Sequence, residues 1–217
     1  MGELVLIRHG QANSAANDEA GYDRLSELGH QQARWLGDWL RTHEATFDRV
    51  LMGSLRRHRE TAEAMGDMGA EREVDARLNE LDYFNLTAAH AAHTGATRPH
   101  TPDEFVSHIR DVMEAWARAE IQGDESYADF EARVSEILTI AARPGRRVLC
   151  VTSGGVIGMM VRHILDLDPA RMAHLLVPIR NASIHRVAVL AQGHILAGFN
   201  ATPHLDTPDR VHARTEY

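Results

Sequence analysis

Hydrophobic positions fall into two regimes along the chain. Short, nearly unbroken apolar runs occur at residues 3–7, at Arg49–Met52 and at Arg147–Thr152, and each reads as a buried strand. Each run stops abruptly, at Arg8-His9-Gly10, at Gly53-Ser54 and at Ser153-Gly154-Gly155. Between the strands the period lengthens. Leu28, Trp35, Leu36, Trp39 and Leu40 share one helical face, and Ser26 is available as the N-cap, so the spacing predicts a helix over about residues 26–42 with both tryptophans in its core-facing stripe. A helix carrying Thr61, Ala62 and Met65 follows the second strand. Thr101-Pro102-Asp103-Glu104 orders a capping Thr, a first-turn Pro and a box-closing Glu ahead of Phe105, Ile109, Val112, Met113 and Trp116, the opening of another helix. Ser126 begins a further one, which repeats Tyr127, Phe130, Val134, Ile137 and Leu138 until Pro144-Gly145 ends it. Residues 156–165 read as a helix, and residues 184–190 and 194–199 as a hairpin around Gln192-Gly193. From Asn200 the chain is polar with two prolines, which predicts a surface tail.

Strands alternating with helices predict an α/β fold: a three-layer sandwich with a mostly parallel central sheet, flanked by helices. No linker, repeat or low-complexity run interrupts it, so residues 1–217 read as a single domain, with residues 84–125 as a small helical cap. The 217-residue length fits one large core. Acidic residues outnumber basic ones by 31 to 23, for a net charge of −8, which argues against a nucleic-acid partner. An anionic ligand therefore has to be held by a few arginines placed locally. No apolar stretch reaches the ~20 residues of a bilayer span, so no membrane partner is expected. The single cysteine, Cys150, lies inside a strand and reads as a buried inert thiol, and the chain reads as cytoplasmic.

In open α/β sheets ligands bind beyond the carboxyl ends of the strands. All three loops named above lie there. Guanidinium groups, glycines that admit backbone N–H groups, and helix N-termini are what a phosphoryl group requires.

The order of motifs is specific. Leu6-Ile7-Arg8-His9-Gly10-Gln11-Ala12 is followed by Leu25-Ser26-Glu27-Leu28-Gly29 with Gln32-Ala33, and then by Leu55-Arg56-Arg57-His58-Arg59-Glu60-Thr61-Ala62. Leu78-Asn79-Glu80, Val151-Thr152-Ser153-Gly154-Gly155-Val156-Ile157 and Asn181-Ala182-Ser183 complete the set. In this order the chain resembles the histidine phosphatase superfamily, the phosphoglycerate mutase-like enzymes. The resemblance implies a phosphomonoester hydrolase in which His9 carries a transient phosphohistidine. It implies that Arg8 and Arg57 hold the phosphoryl oxygens, with Ser153 and Gly154 as further phosphate contacts. Glu80 would be the general acid and base, with Asp82 as the alternative acid. Arg56 and Arg59 are left as surface charges, and Asn181 stands at a position near the pocket. No cofactor and no metal is implied, because the arginines supply the positive charge.

Two positions depart from the superfamily pattern. Ser153 stands where most members have a second histidine, and Gly53 where many have serine, with Ser54 beside it as a possible replacement. A serine hydroxyl can donate to a phosphoryl oxygen, and at this position it could also cap the next helix, but it brings no charge. Losing one preorganised donor to a developing anion costs about 10²–10³ in rate. Two alternatives follow: a mutase-like phosphoryl transferase using the same intermediate, and a non-catalytic phosphoester-binding regulatory domain. The expected partner is a small phosphorylated metabolite or a phosphoprotein, and no oligomeric state is assigned. His90 and His93, at i, i+3 spacing, invite a metal reading, but no third ligand accompanies them. They are placed instead beside the substrate entrance. His58 and His204 are left without a role.

Overall fold

The computed structural model describes residues 2–16, 18–97, 99 and 101–216. In chain order it contains β1 (Gly2–Arg8), α1 (Glu19–Tyr22), α2 (Glu27–His43), β2 (Arg49–Met52), α3 (Arg56–Met65), β3 (Arg72–Val74), α4 (Tyr83–Thr94), α5 (Pro102–Ala117), α6 (Tyr127–Ala141), β4 (Arg147–Thr152), α7 (Gly154–Leu165), α8 (Pro169–Leu176), β5 (Ile184–Leu190) and β6 (Gly193–Ala201). Among the described residues one six-stranded sheet runs in the order β3-β2-β4-β1-β5-β6. β3, β2, β4 and β1 are mutually parallel, while β5 runs antiparallel to both β1 and β6. The sheet is thus mostly parallel, with an antiparallel hairpin on one side.

Strand alternation builds the three layers. Leu4, Leu6, Val148 and Cys150 point to one face, where Val112, Trp116, Phe130, Ile137, Val156 and Met160 of α5, α6 and α7 pack on them. Val5, Ile7, Leu149 and Val151 point to the other, against Ala33, Leu36 and Leu40 of α2 and Ala62 and Met65 of α3. Both faces are covered, which is why the strands read as continuous apolar runs rather than alternating ones. Cys150 is fully buried, and burial pushes its thiol far above the ordinary range, so it stays a protonated filler.

Several helix starts follow their predicted chemistry. Ser26 Oγ accepts from Gly29 N–H at 3.0 Å, Thr101 and Glu104 form a reciprocal capping box, and Ser126 caps α6. In α2, however, the buried stripe is Gly29, Gln32, Ala33, Leu36, Gly37 and Leu40. Trp39 packs half-buried against this core and stacks on His43, as its place in the stripe predicts, whereas Trp35 lies half-buried outside it under the Arg210 guanidinium. The reason is the closeness of α3: a Cβ on Gly37 would lie 2.0 Å from the Met65 carbonyl oxygen. Only small side chains fit along that line.

The expected surface tail is also corrected. Residues 203–205 and 211–213 form 3₁₀ turns whose Leu205 and Ala213 are fully buried. Gln32 Nε2 donates to the Ala213 carbonyl, Asn181 N–H to the Thr215 carbonyl, and Arg8 Nη1 to the Glu216 carbonyl. The last segment therefore folds back onto the residues behind Arg8. Within the 84–125 stretch, where Arg98 and His100 lie outside the described residues, α5 packs into the core rather than standing off it. His90 is buried with its ring 5.5 Å from that of His108, while His93 is exposed.

Two tests follow from this packing. Gly37→Ala should lower unfolding free energy by about 1–3 kcal/mol, because the added methyl has no space against α3; an unchanged denaturation midpoint would mean the helices separate freely. His185 and His204 are buried, and burial together with Arg8 and Arg210 respectively lowers each to a pKa of about 3 from the ordinary 6.5. The unfolded chain binds their protons more readily, so their contribution is complete above pH 6.5 and is lost as pH falls towards 3. Each should add up to about 1.4 kcal/mol per pH unit to the slope in that window. Neither ring nitrogen of His204 has a hydrogen-bond partner, so His204→Phe should flatten the slope measured by urea denaturation, and an unaltered slope would refute the assignment.

Candidate active site

The site is set by where the central strands end. Arg8 is paired in register with Thr152, so His9 and Ser153 leave the sheet side by side. His9 N–H donates to the Thr152 carbonyl at 2.9 Å, and its own carbonyl accepts from Ala182 N–H at 3.1 Å. Gly10 turns the chain away beneath α2, where a Cβ would lie 2.4 Å from the Gly29 carbonyl oxygen. Its N–H is held by Thr61 Oγ1 of α3 at 3.0 Å.

His9 is buried, and its Nδ1 lies 2.7 Å from the Gly10 carbonyl oxygen. A carbonyl can only accept, so Nδ1 carries the hydrogen and Nε2 of the neutral ring keeps its lone pair. Burial holds the imidazole well below the ordinary histidine value, and the nearby Arg57, Arg8 and His58 push in the same direction. The neutral form is therefore the resting one.

Arg57 is completely buried at the start of α3, where Asp23 accepts from both the Arg56 and Arg57 backbone N–H groups. Its Nη1 donates to Glu19 at 2.5 Å and to Asp23 at 3.1 Å, and its guanidinium carbon lies 5.1 Å from the Tyr22 ring centroid. Its Nε and Nη2 are buried and have no hydrogen-bond partner among the described residues. Arg8 is similar: Nη1 is anchored to the Ile179 and Glu216 carbonyls, while Nε is buried and unpartnered. Two cations thus present unused donors beside His9, which is an arrangement an oxyanion would complete. Arg56 and Arg59, by contrast, are exposed.

Glu80 follows the 3₁₀ turn at Ala76–Leu78. Its Oε1 accepts from Gly155 N–H and from Leu81 N–H, each at 3.0 Å, so the carboxylate sits at the α7 N-terminus. A Cβ on Gly155 would lie 2.2 Å from that oxygen, which explains the second glycine of the pair. Arg133 of α6 fixes the loop by donating to the Arg77, Asn79 and Glu80 carbonyls. Asp82 is otherwise engaged: its two oxygens accept from Asn85 N–H and Asp124 N–H, so it caps α4. Gly154 sits against Arg8, with its Cβ position 3.8 Å from Arg8 Nε.

Ser153 occupies the N-cap position of α7, but its side chain makes no capping bond. Its Oγ lies 2.6 Å from Nε2 of His58, which is fully buried. Ser54 does not fill in for the missing hydroxyl at position 53; its Oγ accepts from Asn79 Nδ2 at 2.7 Å. Asn181 is buried and hydrogen-bonded to Thr215, with its Nδ2 unpartnered. His58, Glu19, Asp23 and Tyr22 are the site neighbours that sequence reasoning passed over. Only His58 had a visible signal, its place directly after Arg57. Among the described residues no group of three or more His, Cys, Asp or Glu is placed to hold a metal ion.

Comparison with known proteins agrees with this geometry. A profile of the histidine phosphatase superfamily (branch 1) matches residues 4–202. A 2,3-bisphosphoglycerate-dependent phosphoglycerate mutase of Methylorubrum populi is 31% identical over 185 residues, covering 75% of this chain and 78% of its own. The mitochondrial serine/threonine-protein phosphatase Pgam5 of Drosophila willistoni is 24% identical over 93% of this chain and 65% of its own. Among solved structures, a phosphoserine phosphatase from Entamoeba histolytica in complex with phosphoserine superimposes with a TM-score of 0.69 at 21% identity, covering 94% of this chain and all of that one. The motifs in their order, the three-layer fold and the matched profile together make this chain a member of the histidine phosphatase superfamily.

Proposed function

We propose that the protein is a phosphomonoester hydrolase working through a phosphohistidine on His9. The observation that carries this reading is the hydrogen bond from His9 Nδ1 to the Gly10 carbonyl. It leaves Nε2 as a bare lone pair beside two arginines with unused donors.

In the first step Nε2 attacks phosphorus, the N–P bond forms, and the bond to the leaving oxygen breaks. Glu80 supplies the proton that oxygen takes up. Water then attacks phosphorus of the phosphohistidine as Glu80 takes its proton, the new P–O bond forms, the N–P bond breaks with its electron pair returning to Nε2, and inorganic phosphate leaves a neutral His9. Arg8 and Arg57 carry the charge that spreads over the equatorial oxygens, and no metal is required for that role. The charge of Glu80 acts on Arg57, and its carboxylate is held by Gly155 N–H, which supports giving it the acid–base role.

Support for hydrolysis over mutase action comes from the aromatic rings near His9. Tyr22, whose ring is 6.4 Å from that of His9, meets Phe84 at 6.0 Å, and Phe84 meets Tyr83 at 6.3 Å. Aromatic faces suit the organic part of a monoester better than a second anionic group. The named mutase relatives keep the transferase reading as the alternative. A small phosphorylated metabolite is one substrate class, by analogy with the phosphoserine-bound neighbour, and a phosphoprotein is the other, by analogy with the named protein phosphatase. No described helix is long and apolar enough to cross a membrane.

The protein should hydrolyse p-nitrophenyl phosphate and, in rapid-quench experiments with labelled monoester, carry acid-labile, alkali-stable label that His9→Ala abolishes, with activity falling at least about a thousandfold. Label on His9 that passes only to a second acceptor would establish the transferase, and a protein that binds phosphate but shows neither label nor turnover would be a binding domain. By NMR the His9 ring should titrate well below 6.5 in the free enzyme. Removing a neighbouring cation favours imidazolium, so Arg57→Gln should move that titration upward. A wild-type value at or above 6.5 contradicts the resting neutral nucleophile.

A further inference from the structure

The two departures from the superfamily pattern meet at one side chain. Ser153 stands in place of a histidine, Gly53 lacks a side chain, and His58 lies between them. His58 is fully buried, its ring centroid is 5.8 Å from that of His9, and its Nε2 is 2.6 Å from Ser153 Oγ. The space it fills exists only because residue 53 is glycine: a Cβ there would lie 2.0 Å from His58 Nδ1. A large polar ring has been brought beside His9 from α3, with no partner for Nδ1 among the described residues. Packing alone does not call for an imidazole there, since an apolar side chain would leave no polar atom unsatisfied.

We infer that His58 and Ser153, on two different elements, form a relay that does at the phosphoryl group what a single histidine at position 153 does elsewhere in the superfamily. Of the two neutral forms of His58, one puts the hydrogen on Nε2, where Ser153 Oγ accepts it. The other leaves a buried N–H on Nδ1 with nothing to receive it, and orphaned buried donors are the rarer fault. With Nε2–H donating, the Ser153 hydroxyl hydrogen is free to point into the pocket, and no helix-capping bond claims it. It donates to a phosphoryl oxygen, and the imidazole behind it strengthens that bond as negative charge grows. No proton is transferred along the relay. The bonds made and broken remain those at His9 Nε2 and the leaving oxygen, with Glu80 handling the proton. His58 is in this sense a positioning residue for Ser153.

This rests on the phosphatase reading above, and the experiment separates the two. Steady-state and single-turnover kinetics with p-nitrophenyl phosphate are compared for wild type, His58→Ala, His58→Gln, Ser153→Ala, the His58→Ala/Ser153→Ala pair and the transplant His58→Ala/Ser153→His, each checked for folding by circular dichroism. His58→Ala and Ser153→Ala should each lower kcat and the rate of His9 labelling by about 10–100-fold, with KM within about threefold. The Ala/Ala pair should be no worse than the weaker single variant, because one residue acts through the other. His58→Gln, which keeps an N–H donor near the Nε2 position, should retain most activity, and the transplant should regain at least about tenfold over His58→Ala. A folded His58→Ala or Ser153→Ala enzyme with wild-type kcat overturns the relay while leaving the phosphatase reading intact. Losses that multiply in the Ala/Ala pair also overturn it. Should His58→Ala not fold, Ser153→Ala and His58→Gln decide by the same criteria. A wild-type protein with neither turnover nor label overturns both.

Discussion

The parallel pairing of β1 with β4 at the centre of the sheet is the constraint on which the site depends. Because Arg8 sits opposite Thr152, the residues that follow, His9 and Ser153, are delivered together. The His9 backbone is then fixed on both sides, to the Thr152 carbonyl and to Ala182 N–H. β2 lies against β4 with Met52 opposite Val151, so Gly53 and the start of α3 come out beside the same point. A shift of one residue between β1 and β4 would turn His9 to the other face of the sheet, and one between β2 and β4 would move Gly53 and the start of α3 away from it. The hydrophobic layers above and below specify that register, since Leu4 and Leu6 must face one set of helices and Val5 and Ile7 the other.

Around that point the protein maintains an electrostatic arrangement that would be unstable in water. Two guanidinium groups are oriented by backbone carbonyls and carboxylates on one side, while N–H groups on the other remain buried and unpaired. Burial and those cations keep His9 neutral, and the glycines at 10, 53 and 155 allow backbone, imidazole and carboxylate to approach more closely than any Cβ would permit. Unsatisfied donors of this kind lower stability, and they persist where a ligand completes them. The surrounding elements hold the arrangement: α6 through Arg133, α1 through Glu19, and the C-terminal segment through its contacts with Gln32, Asn181 and Arg8.

Much of the frame was legible in the chain. The runs at Arg49–Met52 and Arg147–Thr152 became strands with those bounds, and Ser26, Thr101 and Ser126 cap the helices they were expected to cap. These are signals carried within one turn or one strand. The elements that escaped detection were short or weakly periodic, such as α1, β3 and α4. In α8, Asp168-Pro169 is a cap and first-turn signal in a stretch whose apolar spacing is too brief to stand out. Trp39 packs against the core as its spacing predicts, but Trp35 does not, because the width of a buried stripe depends on how near the facing helix comes. The tail was misread because polar composition does not reveal carbonyl partners contributed by distant loops.

The sequence by itself determined the family and the strand-end positions of Arg8, His9 and Ser153, and it named the residues to which the proposed reaction gives the phosphoryl group. It did so because those features are local, or are carried by motifs in a recognisable order. Only the tertiary structure decided which nitrogen of His9 keeps its lone pair, that Asp82 is a cap, that Ser54 faces Asn79, and that Ser153 is joined to His58. Each of these depends on atoms brought together across tens of residues, where hydrogen-bond direction and the space left by a glycine settle what a side chain can touch. The substitution of serine for histidine at 153 looks like a loss when read along the chain. In three dimensions an imidazole lies 2.6 Å from the serine hydroxyl.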